Sequence, residues 1–125
     1  MSLVEKTFKN GEVIIKEGDT GSSFFRLLEG SAHVYSGLGK KDQIRLAVLE
    51  EGEYFGEMAI LEAYPRSASI VAKGSVRVIE IPGDELNSYL AEDPERIIEL
   101  MAYLGNRVRN MRKDYDEAKA LLAQL

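Results

Sequence analysis

Between residues 11 and 81, short apolar segments alternate with turns that contain glycine. Several segments place apolar and polar residues in turn, which is the period of a strand with one buried face. The pattern predicts strands over residues 13–16, 24–28, 32–35, 44–49, 69–72 and 76–81. No segment between them is long enough for the crossover helices of a parallel sheet, so a sandwich, barrel or jelly roll is expected.

After residue 82 the pattern becomes helical. Asp84 is placed as the N-cap of a short helix over residues 84–90, and a long helix is predicted over residues 95–123. Its apolar or near-apolar positions follow heptad spacing: Ile97, Met101, Leu104, Val108, Met111, Tyr115, Ala118 and Leu122. This face either covers the β part or pairs two copies of the chain, and a length of roughly 40 Å at 1.5 Å per residue favours a homodimer.

The composition narrows the class of protein. A chain of 125 residues that is 45 % hydrophobic and 30 % charged is expected to be one globular domain, with the β part over residues 11–82. The absence of cysteine agrees with a cytoplasmic location, and no apolar run approaches the roughly 20 residues of a membrane span. The net charge of −5 argues against direct binding to nucleic acid.

The most informative segment lies between Phe55 and Ser69. Residues 57–61 are mostly good helix formers that follow Gly56, so a helical turn is predicted whose free backbone N–H groups would bind an anion. A glycine allows a close approach of the backbone to a ligand. Arg66 adds a planar fork that matches two phosphate oxygens, and Ser67 adds a hydroxyl donor.

Glu57 does not fit a plain anion site, because a carboxylate repels phosphate unless it accepts a hydrogen bond from a ligand hydroxyl. The residues therefore suggest a site for a phosphorylated sugar or a nucleotide. The alternative is a surface turn in which Glu57 and Arg66 pair with each other.

The segment resembles the phosphate-binding cassette of the cyclic-nucleotide-binding domain family. Phe-Gly-Glu-Met-Ala-Ile-Leu at residues 55–61 and Pro-Arg-Ser-Ala-Ser at residues 65–69 match the family pattern. Upstream, Gly-Glu-Val-Ile-Ile at residues 11–15 and Glu-Gly-Asp at residues 17–19 resemble the family's first strands and turns. The resemblance covers roughly residues 11–112 and implies an eight-stranded antiparallel β jelly roll, or double-stranded β-helix, with flanking helices.

The resemblance also implies roles for individual residues. Glu57 would accept the ribose 2′-hydroxyl and Arg66 would pair with the cyclic phosphate. The anion cradle would be completed by the backbone N–H groups of Gly56, Met58 and Ala59 and by the hydroxyl of Ser67. Because Ser67 resembles the residue of cAMP-reading members, cAMP is expected as the ligand in preference to cGMP.

Positions outside the cassette are expected to contact the sugar and the base. Val34, Leu46 and Leu49 resemble pocket-wall positions, although each also fits the ordinary core of the β part. Arg107, Met111 and Arg112 of the long helix would approach the base, and the alternative for this basic stretch is a solvated helix face. Ligand binding is then expected to shift the position of this helix.

The sequence is less typical of three other classes of protein. A jelly-roll enzyme of the cupin type usually needs two histidines on a metal, whereas His33 is the only histidine and the carboxylates Glu50, Glu51, Glu53 and Glu57 lack EF-hand spacing. No metal and no catalysis are therefore expected. The remaining alternatives are an interaction module without a ligand and the sensor part of a transcription regulator, whose helix-turn-helix would follow the long helix.

Overall fold

Six antiparallel strands form one sheet in a computed structural model that describes residues 3–56 and 65–124. The strands are β1 (Val4–Phe8), β2 (Val13–Ile15), β3 (Ser23–Ser36), β4 (Ile44–Leu49), β5 (Tyr54–Phe55) and β6 (Ser69–Pro82). Their order is β1-β6-β3-β4, while β2 also pairs with β6 and β5 with β3. The mainly β fold is thus confirmed, but the expected count of eight strands is not.

The two central strands, β3 and β6, are each 14 residues long and replace four of the predicted strands. Residues 24–28 and 32–35 are both in β3, and residues 69–72 and 76–81 are both in β6. Gly30 and Gly74 suggested turns, but both glycines lie inside continuous strands at positive φ, +88° and +75°. The register of β3 with β6 shifts on both sides of Glu29, so the strands bend there without ending.

The core lies on one face of this bent sheet, where alternate residues of β3 and β6 meet. Leu27 pairs with Val78 and Ala32 with Ala72, and all four side chains are buried. A separate aromatic cluster is built from Phe24, Tyr54 and Tyr89, where the hydroxyls of the two tyrosines are 2.8 Å apart. This cluster anchors the first α-helix to the strand that leads into the cassette.

The chain divides by its contacts into two compact units, Met1–Tyr89 and Leu90–Leu125. A 3₁₀ turn (Gly83–Glu85) precedes helix α1 (Leu86–Glu92), and helix α2 follows (Glu95–Leu122). Asp84 was wrongly predicted as an N-cap, because it lies inside the 3₁₀ turn and no side chain caps that turn. The carboxylate of Asp93 instead accepts a 3.2 Å hydrogen bond from the Glu95 N–H at the start of α2.

The predicted long helix is confirmed, and α2 ends one residue earlier than expected. None of its residues is buried, and most of the heptad positions are strongly exposed, including Met101, Val108, Met111, Tyr115 and Leu122. No helix in the part of the chain that the structure describes is long and apolar enough to cross a membrane.

Candidate functional site

The main chain of Arg66 is fixed against the turn between β2 and β3. Its N–H donates to the Asp19 carbonyl at 2.7 Å, and its carbonyl accepts from the Gly18 N–H at 2.9 Å. A third bond, from the Glu17 N–H to the Ser69 hydroxyl, is 2.9 Å long, and Ser69 is buried. The second half of the cassette is therefore attached to this turn over four residues.

The guanidinium of Arg66 joins two further segments. Nη1 donates to the Gly56 carbonyl at 3.0 Å, and Nη2 donates to the Ser23 carbonyl at 2.8 Å. Cζ lies 6.0 Å from the centre of the Phe25 ring, within the range of a cation–π contact. The cation thus bridges the two described ends of the cassette and the first residue of β3.

Partial burial sets the electrostatics of this cation. Desolvation lowers the pKa of Arg66, and the negative charge of Glu80 raises it in part. An arginine in a protein remains charged through such shifts. The site therefore presents a permanent positive charge that has lost some of its hydration, which strengthens its attraction for an anion.

Gly56 is required by the backbone and by the arginine beside it. Its φ of +75° belongs to the left-handed region that other residues rarely adopt. An added Cβ would lie 3.0 Å from Nη1 of Arg66 and 3.2 Å from the Ile15 side chain. Sequence reasoning assigned this glycine to ligand approach, and the structure adds a packing reason within the site.

The structure describes only some of the other cassette residues. Ser67 is exposed, one residue after the anchored arginine. Glu57, Met58 and Ala59 lie outside the described residues, and so does any pairing of Glu57 with Arg66. Gly56 and Arg66 are brought together, as the anion-site prediction requires.

A cavity of about 220 Å³ adjoins the guanidinium. Its charged and hydroxyl-bearing lining comes mainly from the β2–β3 turn, from Arg66 and from Glu80 of β6. Among residues 3–56 and 65–124, the lining is Ile14, Ile15, Lys16, Asp19, Thr20, Gly21, Ser23, Phe25, Arg66 and Glu80. Of the residues that the structure describes, two positive and two negative side chains therefore face the same space.

Sequence reasoning missed most of these turn residues. Gly21 is one of them: a Cβ at this position would lie 2.8 Å from Nη2 of Arg66. The signal was present, because Gly18, Asp19 and Gly21 mark a turn, but a turn signal does not reveal which side chain packs on it. The contribution of Ser23 is a main-chain carbonyl, which any residue would supply.

The three predicted pocket-wall residues occupy different environments. Leu49 is 7 % exposed and belongs to the core cluster, and Val34 is half-buried against that cluster. Leu46 is 57 % exposed. The register of β3 with β4 passes from Ala47 to Arg45, which makes Leu46 the extra residue of a β-bulge. A role of these residues against a ligand stays a prediction.

The predicted base contacts belong to helix α2, in the second compact unit. Met111 is 64 % exposed, and Nε of Arg112 donates to the carboxylate of Asp116 at 3.2 Å. Arg107 lies one turn earlier on the same helix. The approach of these side chains to a base also stays a prediction.

His33 lies on β3, where Nδ1 is 3.2 Å from the Tyr35 hydroxyl. Burial, followed by the positive charges of Lys73 and Arg45, lowers the pKa of His33, and Glu50 partly opposes that shift. In the described residues no three His, Cys, Asp or Glu side chains lie close enough to hold a metal ion.

Comparison with known proteins decides the family. The profile described as "Cyclic nucleotide-binding domain" matches residues 5–93, well over half of the chain. This chain belongs to the cyclic nucleotide-binding domain family. The matched range includes both described ends of the cassette. The contact between Gly56 and Arg66 therefore lies inside the family's domain.

Named relatives include two kinds of kinase protein. The chain is 41 % identical over 80 residues to a cAMP-dependent protein kinase regulatory subunit of Colletotrichum orbiculare, covering 64 % of this chain and 20 % of that protein. It is 49 % identical over 72 residues to a cGMP-dependent protein kinase of Plasmodium berghei, covering 58 % and 8 %. The chain thus spans a fifth or less of either relative.

A solved structure supports the fold. The catabolite activator protein of Thermus thermophilus superposes with a TM-score of 0.77 at 26 % identity, covering 94 % of this chain and 55 % of that one. The sheet and the long C-terminal helix described above are therefore the β-roll arrangement of the cyclic nucleotide-binding domain family.

Proposed function

We propose that this domain is a sensor that binds cAMP in preference to cGMP and acts as a regulatory module, not as an enzyme. The observation that carries the proposal is the partly buried guanidinium of Arg66, held beside Gly56 in a chain whose family binds cyclic nucleotides. Cytoplasmic location and an unidentified downstream protein partner are part of the same proposal.

The chemistry of the guanidinium supports binding of a phosphodiester. A guanidinium carries five N–H donors in a fixed plane, and in the described residues the Gly56 and Ser23 carbonyls take two of them. The remaining donors suit the oxygens of a phosphate. Because the cation is already fixed by the two carbonyls, little side-chain entropy is lost when an anion binds.

The preference for cAMP rests on Ser67. A relative named for cAMP is 41 % identical to this chain and a relative named for cGMP is 49 % identical. Overall similarity therefore does not indicate which of the two nucleotides is preferred. Ser67 is exposed at the described end of the cassette, where its hydroxyl is available to a ligand. The remaining cassette roles, including that of Glu57 toward the 2′-hydroxyl, enter the proposal from the family resemblance.

Isothermal titration of the protein with cAMP and with cGMP tests this proposal, with 5′-AMP as the matched control. The control carries the same base and sugar but has a dianionic phosphate and a free 3′-hydroxyl. We expect saturable binding of both cyclic nucleotides, tighter for cAMP, and much weaker binding of 5′-AMP. A chain that binds neither cyclic nucleotide is an interaction module without a ligand, and the proposal is then wrong.

We further propose that binding shifts the position of helix α2. The argument is energetic: a ligand moves an equilibrium only by its difference in affinity for the two states. Amide hydrogen exchange with and without saturating cAMP measures the effect, and changed protection along residues 95–122 is expected. Unchanged protection of α2 at saturation contradicts the coupling while leaving the binding proposal intact.

A homodimer through α2 completes the proposal. Its apolar heptad positions are exposed, Met101 and Val108 by 65 % each, and such a face is stabilised when a second copy covers it. Light scattering of the protein should give the mass of a dimer, and Val108→Glu should give the mass of a monomer. Asn110→Glu, off the heptad positions, is the control and should stay dimeric; a monomeric wild type contradicts the proposal.

A further inference from the structure

An ion pair between strands β1 and β6 lies at the edge of the cavity beside Arg66. Nζ of Lys6 is 3.0 Å from Oε1 of Glu80. The Glu80 side chain is 25 % exposed and lines the cavity together with Arg66, whereas Lys6 is 45 % exposed and does not line it. The carboxylate thus pairs with Lys6 and faces the same cavity as Arg66.

The same carboxylate has opposite effects on the empty and the occupied site. In the empty site its negative charge stabilises the desolvated guanidinium, which is why it raises the pKa of Arg66. When an anion enters the cavity, the carboxylate repels it. Partial burial makes both effects stronger than for a fully solvated pair, because water and salt screen them less.

Lys6 changes this balance from outside the cavity. By pairing with Glu80 it neutralises part of the charge that would oppose an anion. The other charged side chains that line the cavity in the described part of the chain, Lys16 and Asp19, carry one charge of each sign. The charge state of the Lys6–Glu80 pair is therefore expected to decide the field that an incoming anion meets at Arg66.

We propose that the Lys6–Glu80 pair tunes the affinity of Arg66 for the phosphate: Glu80 stabilises the charge of the guanidinium in the empty site and opposes the anion, and Lys6 weakens that opposition. This inference rests on the proposed cyclic-nucleotide binding. Glu80 acts on the ligand through Arg66 and through its field. Neither it nor Lys6 belongs to the cassette.

A double-mutant cycle tests the inference, with the affinity for cAMP measured by titration and stability measured by urea unfolding of the unliganded proteins. Lys6→Met should weaken binding about three- to fivefold, and Glu80→Gln should strengthen it by a similar factor. In the Glu80→Gln background, Lys6→Met should change the affinity less than twofold, because its effect passes through Glu80.

The second ion pair of the same two strands supplies matched controls. Arg77 of β6 pairs with Glu5 of β1 and also with Glu29, and all three side chains are more exposed than Glu80. None of them lines the cavity. Glu5→Gln and Arg77→Met remove the same charges as the test variants and should leave the affinity for cAMP within twofold.

The sign of the Glu80→Gln effect separates tuning from a structural role. A merely structural pair would lose stability and affinity together, whereas tuning predicts tighter binding without any gain in stability. Weaker binding by Glu80→Gln, or an equal loss from Lys6→Met in both backgrounds, overturns the inference while wild-type binding upholds the proposed function. If the wild type binds no cyclic nucleotide, the proposed function fails, and the inference fails with it.

Discussion

Removal of the Arg66 side chain should destabilise the unliganded protein and should also weaken its binding of ligand. The guanidinium makes two hydrogen bonds to main-chain carbonyls, to Gly56 and to Ser23, and contacts the Phe25 ring. Each bond at a partly solvated site contributes about 1 kcal/mol. The ring contact contributes about 0.5 to 1 kcal/mol. Arg66→Ala is therefore expected to lower the free energy of unfolding by about 2 to 3 kcal/mol.

The effect on binding should be larger. Loss of a charge-assisted pair with a desolvated phosphate costs about 2 to 5 kcal/mol. At about 1.4 kcal/mol per tenfold, this is a loss of roughly thirtyfold to several thousandfold in affinity for cAMP. The affinity of Arg66→Lys for cAMP should lie between those of the wild type and Arg66→Ala. Lysine retains the charge but lacks the planar fork that reaches both carbonyls at once.

Urea unfolding without ligand and titration with cAMP measure the two effects separately. Arg77→Ala is the control, because it removes an arginine whose partners are exposed carboxylates. Its free energy of unfolding should stay close to that of the wild type, because exposed ion pairs contribute little to stability, and its affinity for cAMP should be unchanged. The reasoning is refuted if Arg66→Ala is as stable as the wild type, or if its affinity falls by less than tenfold.

Four further substitutions test the fold by urea unfolding. Gly30→Ala should cost at least about 2 kcal/mol, because the new Cβ meets a β6 carbonyl, while Gly52→Ala, equally strained in φ but in open space, should cost about 1 kcal/mol. Tyr89→Phe should cost about 1 kcal/mol through the lost bond to Tyr54. Because the fold lowers the pKa of His33, stability should fall as pH falls through and below 6.5, and His33→Gln should flatten that slope; an unchanged slope contradicts it.

The sequence predicted what depends on local patterning. The apolar alternation located the residues of β2, β3, β4 and β6, and the heptad spacing located α2 to within one residue. Strand β1 was missed because four of its five residues are exposed and its pattern carries little alternation. Strand β5 was missed because two residues are too few to show a period.

Two glycines explain the largest error in the predicted strands. Sequence reasoning treated Gly30 and Gly74 as the ends of strands, because glycine most often marks a turn. In the sheet, the register instead shifts around Gly30, where an added Cβ would clash with the Ser75 carbonyl. The glycine correctly indicated an unusual backbone conformation. Whether the chain turns or only bends at that point depends on a strand some 45 residues away.

The residues of the site also differ in whether they give a local sequence signal. Arg66 and Gly56 belong to a short motif, so their proximity was predicted, whereas Lys6 and Glu80 are separated by 74 positions and gave no local signal. The carbonyls that hold the guanidinium carry no signal either, since every residue has one. A single sequence therefore predicts the cation and not the atoms that orient it.

The geometry explains why glycine and arginine occur together in this site. Two carbonyls hold the guanidinium of Arg66, and Gly21 and Gly56 are positions where an added Cβ would lie too close to it. The Gly18 N–H then fixes the backbone of Arg66 from the other side. Glycine beside arginine is thus a consequence of close main-chain contact with a cation, and we expect the same side chain to support both local stability and ligand binding.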